Sequence, residues 1–399
     1  MTDAAIMMNE SPRTSDGARP QDELLPFLNN FHDIFTTIGV LLLGGGLAFG
    51  AAQVFQASGQ NIETFNGQAL LMGLIAGIGV ILWLISAVLV GSQRRILPGI
   101  ALSLGFVGTA ATVLVWLYIR FLMDGSGISF DAIEARFDAM DDPETFDRAT
   151  MNQITGAIPL MLRIAPIVAG LAVLIPIALY YFSFRLPFAG GLFGVALVSL
   201  AGLTLLTFEP YYYVVYMPTV NVVLGGALLF AGIMFDARDP GRQTRLAGTA
   251  FWLHFFAAPI LLFAVLNVTS FGWTLSESDF TNVESTNLIA AMSTGNENAT
   301  GLAITALVVI AVFAVVSLLI NRRALIVSGL LTAGLSIAVI VQSAGLGAGA
   351  VVAVTLLLLG GTVVLLGAAW NPVRRVLLAP FPSSGPLARI FPPVNAHEG

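Results

Sequence analysis

Ten apolar stretches of bilayer length punctuate this chain, separated by short polar breaks. They run over roughly 35–55, 69–91, 98–121, 158–182, 187–207, 211–234, 248–269, 301–320, 324–343 and 348–370. About 20 apolar residues are needed for a helix to cross about 30 Å of hydrocarbon. The apolar run from 187 to 234 is too long for one crossing, and Glu209-Pro210 supplies the turn that divides it. The pattern predicts an all-α fold, a polytopic transmembrane helix bundle of about ten spans. The expected organisation is a cytoplasmic segment 1–34, a bundle over 35–370 with periplasmic loops at 122–157 and 270–300, and a cytoplasmic proline-rich tail over 371–399.

Outside the spans the patterning changes. Residues 1–23 are polar and contain Pro12 and Pro20, a disordered composition without the apolar centre of a cleavable signal. In 24–34, Leu24, Leu28 and Phe31 fall near helical spacing and predict a short interfacial helix. In the loop after span three, Phe130, Ile133, Phe137 and Met140 follow helical period, with Ser129 as the N-cap. A second helix is expected from Asp142-Pro143. Six prolines beyond residue 371 forbid one continuous helix there, although Val373–Leu378 can lie along the membrane surface.

Composition fits lipid as the solvent. The 399 residues are 57% hydrophobic and only 10% charged, too few charges to cover a water-soluble surface of this size. All 17 basic residues are arginine. They alternate between loops: Arg94-Arg95, Arg185 and Arg322-Arg323 fall on one side, while 56–68, 208–210 and 344–347 contain none. By the positive-inside rule the arginine-bearing loops and both termini are cytoplasmic, and a bacterial inner membrane is the expected location. Absence of cysteine excludes disulfides and thiolate chemistry.

Candidate chemistry is sparse. Ionisable groups within spans are functional candidates because they are costly unless paired or wet. No carboxylate lies deep in any span as bounded above, which argues against a carboxylate relay or an intramembrane aspartyl protease. Arg120 and Arg163, near the ends of spans three and four, are candidates for a shared anion site; the alternative is that each snorkels or pairs with Asp124 and the acidic loop. In span six, Pro218 frees the carbonyl of Val214, and Asn221 follows nearly a turn later, consistent with a cavity-lining broken helix or a simple kink. His254 sits about two turns into span seven, with Pro259 beyond it. His32-Asp33 reads as a solvated pair at the entrance to span one. The acidic group Asp138, Asp141, Asp142, Glu144 and Asp147 lacks calcium-loop spacing, and no metal or cofactor is expected. No phosphate-binding loop, nucleophile elbow or basic nucleic-acid surface is present, so an enzyme is the weakest reading.

Small residues at GxxxG spacing mark close helix contacts: Gly46/Gly50, Gly73/Gly77 and Gly190/Gly194. Two functions remain open. One is a small-solute permease with a midplane cavity touched by Asn221 and polar groups of span seven. The other is a non-transporting scaffold, assembly factor or sensor working through its periplasmic loops. The lipid bilayer is the expected environment; neither solute nor protein partner is named by these residues.

Overall fold

The computed structural model describes residues 31–138, 147–239, 244–275, 299–343 and 348–394, and among these there is no strand. The helices are α1 (Phe31–Ala57), α2 (Phe65–Ser86), α3 (Leu97–Arg120), α4 (Phe130–Asp138), α5 (Arg148–Ala157), α6 (Leu160–Arg163), α7 (Ala165–Phe184) and α8 (Pro187–Phe208). They continue as α9 (Pro210–Val215), α10 (Met217–Arg238), α11 (Arg245–Phe271), α12 (Ala299–Ile320), α13 (Ala324–Ser343), α14 (Ala348–Leu378) and α15 (Pro386–Ile390). Among the described residues nine helices are long and apolar enough to cross a membrane. A tenth is counted if the two segments of α14, bent by 57° between Leu365 and Gly367, form one span. The chain is therefore a multi-pass membrane protein. The expected interfacial helix over 24–34 falls mostly outside the described residues, as do Asp141, Asp142 and Glu144 of the acidic group.

Proline sets several boundaries. It lies in the first turn of α3, α7, α8, α9, α10 and α15, where a missing N–H costs no intrahelical bond. This changes the reading of Pro218. The helix is already interrupted at Tyr216, and Pro218 starts α10 afresh. The N–H of Tyr216 donates to Tyr212 O at 3.0 Å, closing α9 before the break. The carbonyl of Val215 accepts from Leu275 N at 2.7 Å, and Thr219 Oγ1 donates to Trp273 O at 2.7 Å. Backbone from the end of α11 thus satisfies the break. Polar side chains cap the two short loop helices: Ser129 Oγ accepts from Ala132 N before α4, and Asp147 from Thr150 N before α5.

The first three spans, α1–α3, pack against one another, and α12–α14 do the same at the other flank. Between them the chain of contacts runs α3–α7–α8–α11, with α10 against both α8 and α11, and α11 against α12 and α13. α11 is the central helix and the most buried of these spans among the described residues. An aromatic knot joins α2, α3 and α7: Trp83 stands 4.9 Å from Phe106 and 4.7 Å from Phe184, and Tyr180 Oη donates to Ser86 Oγ at 3.0 Å.

The glycine pairs separate into two kinds. A side chain at Gly190 would meet Thr249 and Tyr181 at 2.8 Å, and one at Gly191 would meet Cβ of Trp252 at 2.4 Å. Gly194 is filled from the other side by Leu253, 2.5 Å from where its Cβ would stand. The Gly190/Gly194 face is a tight α8–α11 contact. Gly46, Gly50, Gly73 and Gly77 meet nothing within 4 Å, so those two pairs are not helix contacts in this chain.

Candidate functional site

Where α10 ends, the side chains turn from apolar to charged within the buried interior. Asp236 is in the last turn of α10, His254 lies in the first half of α11, and Arg322 is in the turn from α12 to α13. His254 Nε2 lies 2.9 Å from Asp236 Oδ2. Arg322 Nε donates to both carboxylate oxygens, at 3.0 Å and 2.9 Å, and its Nη2 donates to Oδ1. Exposure is 0% for His254 and 2% for Arg322. An ion pair this deep needs such multiple bonding, because each charge has given up its water.

The neighbours explain how the three groups meet. Gly232 lies one turn before Asp236, and the imidazole occupies the space its side chain would take. An added Cβ would stand 2.8 Å from Cε1 and 2.9 Å from Nδ1. The turn carrying Arg322 is held by Arg322 N donating to Ser317 O at 2.8 Å and by Ser317 Oγ donating to Arg322 O. Asn321 takes a left-handed conformation there, φ 56°, which asparagine tolerates. Its Oδ1 accepts from Trp370 Nε1 at 3.0 Å, and the Arg323 guanidinium lies over the Trp370 ring.

The C-terminal tail closes the same end. Arg374, 1% exposed, donates from Nε to Leu318 O at 2.8 Å and from Nη2 to Pro392 O at 2.7 Å. α15 packs on α10, and Phe391 inserts against the buried cluster that contains Leu262, Leu302, Ile320 and Leu325. The tail is thus a strap tied by one buried guanidinium beside the turn that presents Arg322.

The residues singled out from the sequence do not converge. Arg120 pairs with Asp124 on its own helix and lies over Phe65 of α2. Arg163 donates from Nε to Thr207 O at 2.9 Å and lies over Phe208 of α8. The two guanidiniums take partners on different helices. Asn221 is half-buried near the start of α10, about 22 Å along the helix from Asp236 at 1.5 Å per residue. Of the five candidates, His254 alone belongs to the buried cluster. Asp33 is a further difference. It is 8% exposed and accepts from Arg95 Nη1 at 3.4 Å, so it is paired and buried rather than solvated.

Asp236, Arg322 and Arg374 were not singled out from the sequence. Asp236 lies two residues past the apolar boundary drawn for span six, and the two arginines are members of Arg-Arg pairs that read as topology signals. A glycine one turn before a terminal aspartate, Gly232–Asp236, was the only local hint.

Beside the buried His254, the space between α8, α10 and α11 is filled by apolar side chains. Leu228, Leu253 and Ala257 are buried together with Val195 and Val198 of α8. One turn beyond Asn221, the space beside Gly225 that a midplane cavity would use is filled by Leu261 and Ile260 of α11. Two open cavities lie at the arginine-rich end. One, of about 170 Å³, is beside the tail at Arg375, Phe381 and Phe391, and the other is between Asp33, Gln93, Arg94 and Arg95. No protein-family model, curated protein or solved structure matches this chain, and the molecule is identified only as far as its fold, a multi-pass helical membrane protein.

Proposed function

We propose that the chain is a non-transporting membrane scaffold or sensor rather than a small-solute permease. The observation that carries this reading is the apolar filling where α8, α10 and α11 meet halfway across. A solute path through a bundle needs convergent polar groups or a wet cleft near the midplane. Here Leu228 and Ala257 fill the space between the helices, Asp236 and Arg322 lie at helix ends, and the one ionisable group deeper in α11, His254, is fully buried and bonded to Asp236. The buried Asp236–His254–Arg322 cluster ties three elements of the second half and supports a structural junction. The strap fixed by Arg374 supports the same reading.

Absence of native cysteine makes the test direct. Single cysteines at Leu228 and Ala257 are expected to stay unlabelled by a membrane-impermeant thiol reagent applied to either face of vesicles. Cysteines at Gln60 and Ser92, both exposed beyond helix ends, should react from opposite faces. Labelling of position 228 or 257 under an imposed ion gradient would overturn the proposal in favour of a permease.

A further inference from the structure

Among the described residues three that are not glycine have positive φ: Arg94 at 55°, Arg185 at 51° and Asn321 at 56°. Each follows the last turn of a span at the arginine-rich end. The residue just past a helix commonly adopts this left-handed conformation, and glycine or asparagine adopts it with least strain. The α12–α13 turn uses asparagine. The α2–α3 and α7–α8 turns use arginine, although glycine would close them without a Cβ penalty. Charge for orientation does not require Arg94, because Arg95 already supplies it one residue away.

The two strained turns are neighbours. The Phe184 ring lies 3.6 Å from where a Cβ of Gly91 would stand, and Val90 and Leu186 both press on Gly99. Arg94 and Arg185 are exposed, and neither has a carboxylate partner among the described residues. The carboxylate nearby, Asp33, is taken by Arg95. That guanidinium also donates to Thr36 Oγ1 at 2.7 Å, His32 O at 3.3 Å and Gln93 Oε1 at 2.7 Å. A cavity of about 440 Å³ opens between Asp33, Gln93, Arg94 and Arg95. Just inside the two turns, Val88 and Phe182 present exposed apolar side chains, 54% and 67% exposed.

We propose that the paired turns at Arg94 and Arg185 form a binding site for the phosphodiester headgroup of an anionic phospholipid. The two guanidiniums take the phosphate oxygens through charge-assisted bonds. Val88 and Phe182 offer the surface along which the acyl chains lie. Arg94 lines the cleft, Arg185 stands exposed on the neighbouring turn, and Arg95 pairs with Asp33, the carboxylate that also lines the cleft. This does not depend on the scaffold reading and would hold equally for a permease.

The test uses the full-length protein in detergent, with lipid retention read by native mass spectrometry against equal phosphatidylglycerol and phosphatidylcholine. The unaltered chain should retain phosphatidylglycerol in preference, and the double variant Arg94→Gln/Arg185→Gln should lose about tenfold of that preference. Arg238→Gln removes one exposed arginine at the same end and should leave the preference unchanged. Arg94→Gly/Arg185→Gly should also lose it, while raising the thermal midpoint by relieving strain, so loss of lipid cannot be ascribed to misfolding. Equal preference in the double variant and the unaltered chain overturns the site. Displacement of the lipid by millimolar glycerol phosphate would overturn the lipid assignment in favour of a soluble phosphate ligand.

Discussion

One carboxylate decides how the second half of the bundle is joined. Asp236 takes bonds from His254 and Arg322, and both partners are buried beyond the reach of bulk water. Removing one member of such a group leaves an uncompensated buried charge, which typically costs about 3–5 kcal/mol. Asp236→Ala should therefore lower stability by roughly that amount, measured as the unfolding midpoint in detergent. Adding Arg322→Met to it should recover much of the loss, because both charges are then gone. An unimproved double variant would mean that Arg322 is held by other groups. Gly232→Ala tests the same junction sterically. The new methyl would overlap the imidazole, and a destabilisation of about 1–3 kcal/mol is expected from overpacking.

Helices in lipid have little hydrophobic drive to associate, so their pairing depends on close fit. α8 and α11 meet through Gly190, Gly191 and Gly194, where side chains of α11 enter the space a Cβ would fill. Gly191→Val and Gly194→Val should lower the thermal midpoint strongly, whereas Gly46→Ala and Gly73→Ala should leave it within error. A comparable loss at all four positions would contradict the packing described. In the loop between spans three and four, α5 begins at Asp147, whose carboxylate accepts from Thr150 N at 2.8 Å. That backbone bond holds its pKa below the ordinary carboxylate value. A depressed folded pKa means the cap contributes above the unfolded value and fades as pH falls toward the lowered folded one. Helix signal from α5 should therefore weaken on acidification in the unaltered chain, while Asp147→Asn, an uncharged N-cap, should show no such dependence when followed by amide exchange.

The molecule as a whole is a serial arrangement of two three-helix flanks joined through α7, α8, α10 and α11. Its C-terminal strap crosses the end where Asp236, Arg322 and Arg374 are gathered. Truncation after Ala379 would strip Arg374 of the Pro392 carbonyl and uncover the apolar surface on which Phe391 packs. The shortened chain should unfold at lower temperature, and a cysteine at Ser317 should become reactive to thiol reagent where the full chain protects it. Protection unchanged by truncation would show that α12–α14 close that end without the strap.

The apolar periodicity alone specified a bundle of about ten membrane helices, because a stretch that must cross hydrocarbon declares itself by length and by lack of charge. The Ser129 cap and the division at Glu209-Pro210 were legible for a similar reason, being local chemistry between residues close in the chain. Which glycines make contacts, where the helix before Pro218 breaks, and which charges are buried were settled only by assembly. Gly46/Gly50 and Gly190/Gly194 have the same spacing, yet only the second pair meets another helix. Arg322 and Arg323 are adjacent in sequence, but one is inside and paired while the other lies over a tryptophan. Partners far apart in the chain determine those outcomes, and a one-dimensional pattern contains no record of their distance.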